Sequence, residues 1–193
     1  MTTTALVGNP RPGSRTRTAA EHTSRRLAQR AVSTTGPGTI ELADLGPALL
    51  EPTPPPAVES ALEGVRNTDL LVVATPTYKA TYTGLLKVFL DLLPGGGLSG
   101  VTAVPLMLMA SPVHTLAVEV HLRPLLLELG ADVPFPGLAI DQNDVPEEGD
   151  AADAPLDGVL TEWLERVHPA LIPATPSVHP VGVHTAGREG RPA

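Results

Sequence analysis

The chain has no cysteine. That excludes disulfides, thiolate metal sites and a cysteine nucleophile. It has no apolar run near the roughly 18 residues of a membrane helix, so no membrane role is expected. The first residues lack a basic stretch followed by a long apolar core, so no secretory signal is evident. A soluble cytoplasmic protein is the expectation. Positive charge is scarce too: the net charge is −8 over 193 residues, and lysine occurs only at Lys79 and Lys87. That balance argues against a generic nucleic-acid partner. Two nucleotide-binding signatures are also missing after the first strand. No Gly-Lys-Ser/Thr closes a Walker loop, and Gly-x-Gly-x-x-Gly is absent.

What is present is a regular alternation. Apolar strands are expected at residues 3–7, 39–42, 70–74, 102–109 and 135–140. Helices are expected at 16–32, 58–67, 83–93 and 115–129, and a last amphipathic helix runs through Leu156, Leu160, Trp163 and Val167. Residues 45–57 hold five prolines (Pro47, Pro52, Pro54, Pro55, Pro56) and are not expected to form a regular helix. Pro124 lies inside the 115–129 helix and should bend it. Alternating elements with right-handed crossovers give an α/β doubly wound, five-stranded parallel sheet in the order 2-1-3-4-5. One domain over residues 1–173 is expected, with 174–193 a mobile tail rich in Pro, Gly, Thr and His.

Two loops stand out, because ligands of open parallel sheets sit at the carboxyl ends of strands. The first follows strand one: Gly8-Asn9-Pro10-Arg11-Pro12-Gly13-Ser14-Arg15-Thr16-Arg17-Thr18. Helix starts carry N–H groups that need acceptors, and hydroxyls and guanidinium groups add to them. That is a phosphate cradle. The bland alternative is a polar turn with a helix cap. The second loop follows the apolar strand Leu70-Leu71-Val72-Val73-Ala74: Thr75-Pro76-Thr77-Tyr78-Lys79. A rigid Pro, an aromatic Tyr and a cation suit a planar ring system. The bland alternative is a half-buried Tyr with a satisfied hydroxyl. His114 and His121 are seven apart on one expected helix face, a poor metal spacing. His179 and His184 lie in the tail and carry no stronger metal argument. The acidic stretch 147–150 reads as solvated surface.

Together the loops bring a resemblance into view. The chain resembles the NAD(P)H-dependent FMN reductases of the flavodoxin-like superfamily, and most of all those that serve alkanesulfonate-type monooxygenases. Gly8-Asn9-Pro10-Arg11 with Ser14 is similar to the family's Gly-Ser-x-Arg-x-x-Ser loop, with Asn9 in place of Ser. Thr75-Pro76-Thr77-Tyr78-Lys79-Ala80, Gly84-Leu85-Leu86-Lys87 and Asp91-Leu92-Leu93-Pro94 are similar to its Thr-Pro-x-Tyr segment and the helix after it. His114-Thr115-Leu116-Ala117-Val118 with Leu122-Arg123-Pro124 resembles a helix after strand four. The likeness spans residues 3–169.

The resemblance implies a flavodoxin-like fold, FMN as cofactor and NADPH or NADH as reductant. It implies an FMN phosphate held by Asn9, Arg11, Ser14, Arg15 and Thr16. It implies a flavin ring along Pro76, Thr77, Tyr78 and Lys79, with Ala110 and Ser111 at its edge. No catalytic acid, base or metal is implied, because hydride transfer is the cofactors' own chemistry. A flavin-dependent monooxygenase is the implied partner. A homodimer or homotetramer is expected, because the 115–129 helix is apolar around most of its circumference. Two alternatives stay open: an FMN-retaining quinone, azo-dye or chromate reductase, and a flavin-free binding module. One departure bears on the second. Related reductases carry Gly-Gly where this chain has Met109-Ala110, which is expected to crowd the flavin edge.

Overall fold

The computed structural model describes residues 1–31, 36–146 and 154–167. The expected tail at 174–193, the acidic stretch at 147–150, His179 and His184 lie outside them. So do the far end of the first helix, at 32, and the boundary at 173.

Five parallel strands form one sheet: β1 (Thr3–Val7), β2 (Gly38–Glu41), β3 (Leu70–Pro76), β4 (Thr102–Met109) and β5 (Leu138–Asp141). Their order is β2-β1-β3-β4-β5, the flavodoxin-like order. The helices are α1 (Arg15–Arg30), α2 (Pro56–Arg66), α3 (Gly84–Asp91), α4 (Arg123–Glu128) and α5 (Ala154–Val167). α1 and α5 cover one face, packing Ala19, Leu27, Leu156 and Trp163 over Val72 and Ala74. α2, α3 and α4 cover the other, packing Val58, Phe89 and Leu126 over Leu71 and Val73. β3 is central and covered on both sides, which is why its sequence is an unbroken apolar run rather than an alternating one.

Several elements differ from the sequence expectation, each for a local reason. β3 runs two residues further, through Thr75 and Pro76, because it stays in register with β4 up to Pro76↔Leu108. β5 begins only at Leu138. The preceding segment is held instead by side chains: Arg123 donates to the Val133 and Phe135 carbonyls, and Trp163 Nε1 donates to the Pro136 carbonyl at 3.0 Å. The proline-rich stretch contains a 3-10 turn at Gly46–Leu50 and no α-helix before Pro56, where proline sits at a helix start and needs no N–H partner.

The expected 115–129 helix is not one continuous α-helix. A π turn at Val118–Leu122 leads into α4. The Arg123 N–H bonds back five residues, to the Val118 carbonyl. In a regular α-helix the Pro124 ring would clash with the carbonyl of residue 120 and would offer it no donor. Widening the turn just before Pro124 accommodates both problems without ending the helical path.

Candidate functional site

Parallel strands place all carboxyl ends along one edge of the sheet, and the two loops meet there. Register aligns Val7 with Ala74, and the Gly8 N–H extends the ladder to the Ala74 carbonyl at 2.7 Å. The Thr77 N–H reaches the Leu108 carbonyl at 2.7 Å, so the second loop is tied to the end of β4. A cavity of about 630 Å³ opens between them. That lies within the roughly 300–1,000 Å³ usual for small-molecule sites.

Nine of the expected site residues line this cavity: Asn9, Arg11, Ser14, Arg15, Thr16, Pro76, Thr77, Tyr78 and Ala110. Lys79 and Ser111 do not. Lys79 is exposed at the apex of a tight turn. Ser111 sits half-buried just before a 3-10 turn at Pro112–His114.

The first loop is wired by its own side chains. Asn9 is buried; its Oδ1 accepts from the Arg11 N–H at 2.9 Å, and its Nδ2 donates to Thr16 Oγ1 at 3.0 Å. Ser14 caps α1 by accepting from the Arg17 N–H. Gly13 has φ +63°, a left-handed conformation that favours glycine, and its N–H donates to Glu41 Oε1 at 3.0 Å. Glu41, at the end of β2, also accepts from Arg17 Nη1 at 2.9 Å. Arg17 is therefore held by Glu21 and Glu41 and does not line the cavity; the hydrogen bond and charge of Glu21, and then those of Glu41, raise its pKa above the ordinary value. The first turn of α1 has no acidic residue. Its N–H groups and the cavity-lining Arg11 make this end of the cavity receptive to an anion.

The second loop is built differently. Tyr78 and Thr81 pair across a two-residue turn, N–H to carbonyl in both directions at 2.8 and 3.1 Å. Lys79 and Ala80, its central residues, have φ +51° and +67°. Positive φ at both positions marks the mirror-image hairpin turn that usually takes Asn-Gly. Tyr78 stands 43% exposed at the cavity wall. Behind it, Thr75 Oγ1 accepts from the Thr83 N–H at 3.1 Å, and Thr83 Oγ1 donates to the Gly8 carbonyl. Thr83 thus caps α3 and ties both loops together.

The expected crowding at Met109-Ala110 takes a milder form. Met109 does not line the cavity; the Thr115 hydroxyl lies 3.5 Å from its Sδ. Ala110 does line it, yet neither residue has positive φ. This backbone needs no glycine.

Sequence reasoning missed Glu41, Thr75, Thr83, Leu108 and Gln142. Leu108 and Gln142 line the cavity. Their shared signal was position: polar residues at or just past the carboxyl ends of β2 and β5, and threonines flanking a loop. Thr75 opens the Thr-Pro-x-Tyr loop yet is not among the expected site residues; the other four belong to no contiguous site motif.

A doubly wound sheet with an anion-receptive loop after β1 and an aromatic loop after β3 defines the flavodoxin-like class of nucleotide-binding α/β proteins. The chain belongs to the NADPH-dependent FMN reductase family, whose model matches residues 1–144. It is 35% identical over 119 residues to an FMN reductase (NADPH) of Escherichia coli strain K12, covering 58% of this chain and 62% of that protein. It is 39% identical over 93 residues to the NADH-dependent FMN reductase SfnF of Pseudomonas fluorescens strain Pf0-1, covering 45% and 48%. The match thus spans about three fifths of the first relative and half of the second. The structure resembles an NADH:FMN oxidoreductase in its apo form, with TM-score 0.68 and 31% identity over 86% of this chain and 89% of that one.

Proposed function

We propose that this protein is an NAD(P)H-dependent FMN reductase that acts in the cytoplasm and hands reduced FMN to a partner monooxygenase. The observation that carries this reading is the single cavity joining a phosphate-receptive loop to an aromatic one. The residues present fit FMN. Arg11 and the start of α1 suit its phosphate, and Pro76, Thr77 and Tyr78 on the opposite wall leave space for a ring system.

When bound, FMN supplies the redox chemistry, accepting a hydride from the nicotinamide and a proton to give reduced FMN. The chain's own residues hold and orient. Arg11 and Ser14 would hold the phosphate through charge-assisted hydrogen bonds. The Asn9–Thr16 and Gly13–Glu41 contacts fix the loop that presents them. Pro76, Thr77 and Tyr78 form one wall for the ring, and Ala110 borders its edge. Lys79 and Ser111 complete the second loop's surroundings from outside the cavity wall. No proton-transfer group is required of the protein, because the hydride acceptor is the flavin itself.

Assembly belongs to the same proposal. Val113, Leu116, Val120 and Leu127 are 81, 69, 57 and 50% exposed, an apolar outer face beside α4. Such a face suits a homodimer or homotetramer. Among the described residues no helix is long and apolar enough to cross a membrane.

The test is an anaerobic titration of the purified protein with FMN, then with NADPH and NADH. Saturable binding, bleaching of the flavin band and turnover of added free FMN support the proposal. A protein that leaves FMN unreduced sinks it. One that retains its FMN and turns over quinones faster than free FMN is a reductase of another acceptor.

A further inference from the structure

Glu41 braces the anion-receptive loop from outside, and it does so with a charge of the wrong sign. It ends β2, the strand beside β1. Only 4% of its side chain is exposed. A buried carboxylate needs partners, and Glu41 has two. Its Oε1 accepts from the Gly13 N–H at 3.0 Å, and its Oε2 accepts from Arg17 Nη1 at 2.9 Å.

The first contact controls the shape of the loop. Asn9 takes the Arg11 N–H and Ser14 takes the Arg17 N–H, so those parts are held by the loop and by α1. Gly13 is not. Among the described residues, its bond to Glu41 is the one hydrogen bond between residues 9–14 and any strand. Gly13 has φ +63° and joins Arg11-Pro12 to the start of α1. Fixing the turn there fixes the spacing of Arg11 and Ser14, which line the cavity on either side of it.

The second contact answers an electrostatic problem. Gly13 also lines the cavity, so Glu41 holds a negative charge directly behind an anion-receptive site. Like charges repel, and burial weakens the screening. Arg17 opposes that charge at contact distance, and it does not line the cavity as Arg11 does. Its other partner, Glu21, is one third exposed and better screened by solvent.

We propose that Glu41 is a positioning residue for the phosphate loop and that Arg17 is its counter-charge, so that a carboxylate shapes an anion site without repelling the anion. The proposal rests on the reading of the cavity as an FMN site. Neither side chain touches the phosphate: the carboxylate acts through Gly13, and the guanidinium acts through the carboxylate.

The experiment uses the full chain as wild type, Glu41→Ala, Glu41→Gln, Arg17→Ala and the double variant Glu41→Gln with Arg17→Ala. FMN and riboflavin are titrated by flavin fluorescence quenching. Riboflavin lacks the phosphate, so it separates a phosphate effect from general damage. Glu41→Ala is expected to weaken FMN roughly three- to tenfold through lost preorganisation, and riboflavin by less than about twofold. Glu41→Gln keeps an acceptor oxygen and drops the charge, and is expected to bind FMN as wild type does or tighter. Arg17→Ala leaves the Glu41 charge unopposed and is expected to weaken FMN, again roughly three- to tenfold, while sparing riboflavin. In the double variant that loss is expected to vanish, because no charge at residue 41 remains to oppose. An Arg17→Ala loss that persists beside Glu41→Gln overturns the proposal, by making Arg17 a phosphate ligand. Glu41→Gln as weak as Glu41→Ala overturns it too, since the acceptor would then count for nothing. So do equal losses of FMN and riboflavin, or FMN affinity unchanged or raised in Glu41→Ala. A wild type that binds neither flavin sinks the FMN reading itself, and this proposal with it.

Discussion

The two loops that face each other across the cavity are held in opposite ways. The loop after β1 satisfies itself: Asn9 bonds to Arg11 and Thr16, Ser14 caps α1, and Glu41 takes the Gly13 N–H. The loop after β3 does not. It turns through two non-glycine residues with positive φ and leaves the Thr77 hydroxyl without a partner among the described residues. The first loop is a rigid receptor for a charge whose position is fixed. The second stores strain and an unmet hydrogen bond beside the space for a ring, as functional loops often do. The difference shows two routes to preorganisation: internal wiring, and backbone strain held by the surrounding frame.

The largest expected effect breaks the first loop's function while leaving its wiring intact. Arg11 is exposed at the cavity and its side chain has no role in the loop's internal contacts described above. Arg11→Ala is expected to weaken FMN about ten- to hundredfold, the worth of a hydrogen bond to a charged group, and riboflavin much less. Parallel titrations of the two flavins check this; equal losses would move Arg11 off the phosphate.

Next comes the frame that supports both loops. A Cβ at Gly8 would lie 2.7 Å from Leu86 Cβ, on the first turn of α3. Gly8→Ala is expected to destabilise the fold by about 1–3 kcal/mol, the usual cost of overpacking, and denaturant melts would show it. A neutral result would mean that α3 shifts freely relative to β1, and that the Thr83 tie is looser than it looks.

The end of β4 serves as a control, since it has no positive φ to relieve. Met109→Gly with Ala110→Gly is expected to cost about 1–2 kcal/mol in backbone freedom, with no tighter FMN binding. Here Ala110 lines the cavity, Met109 does not, and neither residue has positive φ. A double variant that gains FMN affinity would show that these side chains crowd the flavin.

Relieving the second loop's strain should give a smaller gain. Lys79→Asn with Ala80→Gly matches the turn's preferred residues. About 1 kcal/mol of added stability is expected, read as a higher melting temperature. If FMN binding is unchanged too, the strain is incidental to the site. If binding weakens, Lys79 contributes to it from outside the cavity wall.

The smallest effect lies away from both loops. Asp157 on α5 sits 2.7 Å from His22 Nε2 and 2.5 Å from Arg26 Nη1 on α1. The hydrogen bond from His22, and then the charges of His22 and Arg26, hold its carboxyl below the ordinary value of 3.8. A depressed carboxylate contributes stability above its unfolded pKa and loses it as pH falls through its folded one. Asp157→Asn should therefore lower stability slightly at neutral pH, by about 0.2–1 kcal/mol for a half-exposed pair, read as a slightly lower melting temperature. The gap to wild type should close below pH 3.8. A gap that persists there would mean packing, not charge.

Much of the fold was legible because its physics is local. Central β3 announces itself as Leu70-Leu71-Val72-Val73-Ala74, since a strand covered on both faces must be apolar throughout. The bounds of β4 were readable outright. The helix starts expected at 16 and 83 each fall one residue from the observed starts, Arg15 and Gly84, because capping chemistry acts within one turn. The helix near Pro124 was misjudged because a π turn depends on how the chain absorbs a proline, not on periodicity alone. Glu41 and Gln142 were invisible for a different reason. Each reaches the site from a strand distant in sequence, and only the 2-1-3-4-5 order brings those strand ends together.

By itself, then, the sequence determined the alternation of elements, the apolar centre of the sheet and the two loops that carry Arg11 and Tyr78. These follow from side-chain periodicity, turn chemistry and caps, all set by near neighbours along the chain. Tertiary structure alone decided which side chains stay uncommitted. It drew Arg17 onto Glu41, turned Met109 toward Thr115 and left the Thr77 hydroxyl buried with no partner among the described residues. Whether a polar group is spent or free depends on what packs against it in space, and that is fixed only when distant strands come into register.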